Sequence, residues 1–64
     1  MFKLEIETDN AAFSDGFVGI ELKRILQKVI RDIESFEEGR IERTLLDING
    51  NVVGGFELSY VEGK

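Results

Sequence analysis

Between Val18 and Glu38 the apolar residues recur at the spacing of one helix face, and no other stretch restricts the fold as much. Val18, Leu22, Ile25, Leu26, Val29, Ile30, Ile33 and Phe36 fill an arc of roughly 140° at about 100° per residue. That is the width of a face laid on a sheet. Ser14 or Asp15 is the expected N-cap, supplying a side-chain oxygen to free N–H groups. Asp15 and Glu21 suit the positive end of the helix dipole. Gly39 is the expected stop, because glycine takes the left-handed C′ conformation without a Cβ clash.

The remaining stretches read as strands. From Phe2 to Thr8 apolar and charged residues alternate, with Phe2, Leu4 and Ile6 on one side and Lys3, Glu5 and Glu7 on the other. Asp9 and Asn10 favour a turn, and Phe13 is expected to plug one end of the core. Arg40 to Ile48 and Val52 to Val61 form a second and a third strand around Asn49-Gly50, a strong hairpin signal. A two-residue loop would pair Leu46 with Val53. A three-residue loop would pair Leu46 with Val52, with Gly50 left-handed and Asp47 at the first turn position. Val52, Phe56, Leu58 and Tyr60 share one parity, and only the three-residue loop sets them on the same face as Leu46. That choice leaves Ile41, Leu45 and Val53 on the opposite face, an apolar row that asks for a cover. The second strand is also an expected edge, so a homodimer built there, by the sheet face of Ile41, Leu45 and Val53 or by the strand edge, is the resulting expectation. Gly54-Gly55 in the third strand marks a bulge or a close approach of another group.

The order is β-α-β-β over residues 1–64. The expected architecture is one α+β domain of two layers, a single amphipathic helix on a three-stranded sheet. The third strand, the most apolar, is placed in the centre, in the order 1-3-2. The helical crossover makes the first strand run parallel to the second.

Sixty-four residues bury only a small core. The chain has neither Cys nor His, so disulfides and ordinary zinc sites are excluded. Small domains without such staples often oligomerise, which again favours a homodimer. Thirteen acids against eight bases give a net charge of −5. That balance argues against nonspecific DNA or RNA binding and against anionic membrane surfaces. No run of eighteen apolar residues would span a bilayer, and the N-terminus lacks the apolar region of a signal peptide. A cytoplasmic protein is expected.

The absence of His and Cys also removes the commonest general base and the best nucleophile. No hydroxyl side chain lies beside a plausible activator in sequence. Glu5, Glu7 and Asp9 share a strand spacing that would suit a metal, but such rows ordinarily keep an exposed face wet. Asp47 to Asn51 is too short for a calcium loop and lacks its closing Glu. The expectation is therefore a non-enzymatic protein without metal or cofactor.

Two motifs flank the helix: Thr8-Asp9-Asn10-Ala11-Ala12-Phe13, and Leu45-Leu46-Asp47-Ile48-Asn49-Gly50-Asn51-Val52-Val53-Gly54-Gly55-Phe56-Glu57-Leu58. Together they resemble small uncharacterised proteins encoded by bacteriophages, prophages and other mobile elements. The resemblance spans most of the chain. It implies a bacterial host cytoplasm and supplies no catalytic residues. Small acidic phage accessory proteins frequently inhibit host enzymes or antiphage defence systems, so by analogy a host protein is the expected partner.

Phe17 and Ile20 lie off the core arc, three residues apart, and are the expected apolar anchors for that partner. Glu34, Glu37 and Glu38 crowd the negative end of the helix and would steer the protein toward a basic surface. The mechanism would be occlusion. Two other roles stay open. One is a nucleotide-sequestering protein, which needs Arg24, Arg31, Arg40 and Arg43 to converge; the other is an assembly protein.

Overall fold

The computed structural model describes residues 1–63. Its elements are β1 (Phe2–Ile6), a 3₁₀ turn (Ala11–Phe13), α1 (Val18–Glu34), β2 (Gly39–Leu46) and β3 (Val52–Tyr60). The sheet order is β1-β3-β2, with both edge strands antiparallel to β3. β1 and β2 therefore run the same way on either side of the centre, as expected from the crossover. The α+β architecture is the one that the helical and strand periodicities imply.

The core sits between α1 and one sheet face. Phe13, Ile25, Val29, Leu45, Val53 and Phe56 are buried, and Leu4, Ile6, Ala12, Leu22, Ile33 and Ile41 pack around them. Phe13 closes one end of this core, as its position after the turn suggests. Asn10 folds the preceding loop by accepting the Ala12 N–H on its side-chain oxygen at 3.1 Å.

The β2–β3 turn is the three-residue loop. Asp47 O accepts from the Gly50 N–H at 3.0 Å, Asp47 N–H donates to Asn51 O at 2.8 Å, and Gly50 is left-handed at φ +85°. Leu46 pairs with Val52. The face assignment that followed from this turn is corrected by the structure. The register steps from Leu45↔Gly54 to Leu46↔Val52, leaving Val53 as an extra residue on β3. This bulge reverses the alternation. Val52 points away from the core, whereas Val53 points into it beside Phe56. Leu45 (5% exposed) and Val53 (4%) are buried, and Ile41 packs against the same cluster. Ile41, Leu45 and Val53 thus lie beneath the helix of their own chain, and the second sheet face cannot use them for a dimer.

Gly54 sits where β1 crosses closest. A Cβ there would fall 1.9 Å from the Glu5 carbonyl oxygen, so only a glycine lets β1 and β3 approach at this point. The glycine pair is explained by the bulge and by a strand of the same chain.

Both helix boundaries differ from expectation. At the start, Asp15 (φ +57°) and Gly16 (φ +83°) turn the chain, and Phe17 occupies the cap position without a side-chain hydrogen bond. Ser14 instead donates its hydroxyl to Ala11 O at 2.8 Å, closing the 3₁₀ turn. At the other end α1 finishes at Glu34, with Ser35 as C-cap, and Gly39 (φ +103°) opens β2. Three acids within five residues oppose the negative end of the dipole and favour the early stop.

Candidate interaction surface

The helix flank over β2 is fastened by a polar knot. Glu21 lies one turn before Ile25 on the core-facing row of α1 and is buried. Arg24 grips its carboxylate with two hydrogen bonds of 2.9 Å each and donates a third, of 3.1 Å, to Leu46 O. The second Glu21 oxygen accepts the Ile48 N–H at 2.8 Å. The hydrogen bonds from Arg24 hold the Glu21 carboxyl below its ordinary value, against the opposing effect of desolvation.

Asp47 completes the knot from the hairpin. It is buried as well, which pushes its carboxyl up, but its hydrogen bonds outweigh burial and leave it below the ordinary value. The donors are Asn51 through backbone (2.9 Å) and side chain (3.3 Å), the Asn49 N–H (2.8 Å) and the Asn10 side chain (2.7 Å). Asn10 brings the loop before the helix into the same network. Among the described residues no buried side-chain nitrogen or oxygen lacks a partner.

This knot gathers exposed apolar residues at one end of an elongated molecule, 46 × 16 × 15 Å. Ile48 (68% exposed) is held beside the first turns of α1, where Phe17 (54%) and Ile20 (66%) are exposed. Leu46 and Val52 face outward as a cross-strand pair just before the turn. Phe17 and Ile20 are exposed, off the core face where their helical spacing sets them, whereas Leu46 and Val52 are turned outward by the bulge, against the expected face.

The acids expected to steer docking lie far from this spot. Glu34 ends α1, and Glu37 and Glu38 follow it. A helix of 17 residues is about 25 Å long, several Debye lengths at physiological salt. Glu34, Glu37 and Glu38 are therefore a second, separate feature at the opposite pole. Glu38 there accepts from the Glu62 N–H at 3.4 Å.

The uncovered sheet face is polar. Arg40 bridges Glu57 at 2.7 Å and Glu42 at 3.2 Å, which relieves two like charges set opposite each other in the register. A shallow, open groove of about 570 Å³ runs over Gly55 between Glu5, Lys3, Glu57, Glu42 and Thr44. The four arginines of the nucleotide reading have separate engagements: Arg24 is held in the knot, Arg31 is exposed in the last turn of α1, Arg40 pairs with Glu57 on the open face, and Arg43 donates to the Glu42 carbonyl of its own strand. Among the described residues no three of Asp, Glu, His or Cys are grouped so as to hold a metal ion. No helix among them is long and apolar enough to cross a membrane. Comparison with protein-family models, curated proteins and solved structures gave no match.

Proposed function

We propose that this chain is a non-enzymatic accessory protein of phage or mobile-element origin that binds a host protein in the bacterial cytoplasm and inhibits it by occlusion. An antiphage-defence factor is the partner class that fits this origin. The observation that carries the reading is the apolar end formed by Phe17, Ile20 and Ile48. A rigid hydrogen-bonded base holds these side chains out toward solvent, although burying them would help so small a core. Aromatic and aliphatic anchors on a preorganised base are what a protein interface uses. Glu34, Glu37 and Glu38, at the far pole, contribute to long-range steering at low salt and make no direct contact.

The test compares tagged wild-type protein with Ile20→Asp in host lysate, both checked for folding by circular dichroism. The wild type captures one host protein in stoichiometric amount and inhibits it when purified. Ile20→Asp stays folded and loses at least about tenfold in affinity. Equal capture by both proteins, or none by either, would remove this reading.

A further inference from the structure

β1 lies at the edge of the sheet, and its backbone shows which groups are free. Its odd-numbered neighbours spend theirs on β3: Met1 exchanges hydrogen bonds with Ser59 (2.7 and 2.9 Å), and the Glu7 N–H donates to Val53 O at 2.7 Å. Antiparallel pairing alternates, so the N–H and C=O groups of Phe2, Leu4 and Ile6 turn outward. Above this edge the helix is also uncovered. Lys28 and Asp32 border the β2 side together with Arg43 and Thr44, and Arg24 is bonded there too. Leu26 and Ile30 occupy the opposite flank and are exposed, as is Phe2, which lies beside Phe56 on the edge strand. The chain presents 4,815 Å² of surface, whereas a compact monomer of its mass presents about 4,200 Å². The excess, about 600 Å², approaches the ~800 Å² that each partner buries in a standard interface. The radius of gyration, 13.3 Å, likewise exceeds the roughly 11 Å of a compact chain of this length.

We propose that a second copy of this chain covers the edge, with β1 pairing antiparallel to the partner's β1 about a twofold axis through Leu4. Two three-stranded sheets become one of six. Charge selects this register. With the axis at Leu4, Lys3 stands opposite the partner's Glu5 and Glu5 opposite the partner's Lys3. Phe2 faces the partner's Ile6, and all six outward backbone groups are bonded. An axis at Lys3 sets lysine against lysine, and an axis at Glu5 sets glutamate against glutamate, each leaving outward groups unpaired. The Leu26–Ile30 flanks of the two helices then meet over the seam and cover Phe2. This inference does not rest on the host-protein reading and uses the opposite flank of the helix.

The experiment is sedimentation velocity on wild type, Lys3→Glu and Glu5→Lys. The wild type sediments as a dimer. Each variant alone places like charges opposite each other twice, and its dissociation constant rises about tenfold or more. Mixed in equal amounts, the two variants restore every opposite-charge pair and form a heterodimer, read by native mass spectrometry with one chain labelled with ¹⁵N. Amide exchange of the unmodified protein gives a second readout. The Phe2, Leu4 and Ile6 amides are slow at high concentration and fast on dilution, whereas those of Lys3, Glu5 and Glu7 stay slow. A wild type that remains monomeric at submillimolar concentration overturns the proposal. So does a dimer indifferent to both substitutions, or outward amides whose exchange ignores concentration.

Discussion

The two flanks of α1 are finished by different means. Over β2, directed hydrogen bonds complete the contact: Arg24 and Glu21 reach the backbone of Leu46 and Ile48, and Asp47 receives Asn10 from across the chain. Over β1, the contact simply stops, with Leu26, Ile30 and Phe2 left exposed. Buried carboxylates need fixed partners and tolerate one geometry, so they specify how the hairpin meets the helix. Apolar side chains impose no such geometry. One flank is closed by specificity within the chain, and the other is left with surface to give.

The largest effect should come from misplacing a charge beneath the helix. Leu45→Glu buries an unpaired carboxylate and is expected to abolish the cooperative thermal transition, whereas Leu46→Glu, one residue on, should change stability by less than about 1 kcal/mol. A Leu45→Glu protein that melted normally would restore the alternative face assignment. Next comes Gly54→Ala, whose methyl would meet the Glu5 carbonyl. It should cost about 3 kcal/mol in urea unfolding, more than Gly55→Ala, where the nearest backbone oxygen is 2.9 Å away.

The knot itself should respond to acid. Glu21 and Asp47 titrate lower in the folded chain than their ordinary values of 4.5 and 3.8. In that interval the unfolded chain binds more protons, so stability rises with pH. The contribution is complete above about pH 5 and fades as pH falls through the lowered folded values. Replacing both groups, as Glu21→Gln with Asp47→Asn, should lower the melting temperature at pH 7 and flatten its fall below pH 5. An acid limb unchanged by the double substitution would remove the knot from the account. The smallest effect is expected on the open flank. Ile30→Ser at low protein concentration should alter stability by less than about 0.5 kcal/mol.

The same contrast governs what was legible in the sequence. Periodic features were readable because they repeat: the helix face, the alternation of β1, the loop around Asn49-Gly50 and the central place of the apolar β3. Phase was not, because one extra residue at Val53 inverts the faces beyond it, and Gly54-Gly55 marked the irregularity without saying which residue was the extra one. The knot was half readable. Glu21 falls in the row of Ile25 and Val29, where a carboxylate must find a partner. Its partner Ile48 and Asp47's partner Asn10 are distant in sequence. The proposed contact spot was split for a plainer reason: a helix separates Phe17 from Glu34 by its whole length.

The strand order has a further consequence, in time. The β2–β3 hairpin joins neighbours six residues apart at Leu46 and Val52, while β1 must find Phe56 from Leu4 across the whole chain. Hairpins close in about 1–10 μs, but long-range pairing first has to overcome the entropy of closing a long loop. β1 is also made before β3, its partner strand among the described residues. At about 5–20 residues per second, Phe2, Leu4 and Ile6 wait several seconds for β3. During that interval the nascent chain carries an apolar, unpaired strand that any nearby strand edge or chaperone can take up.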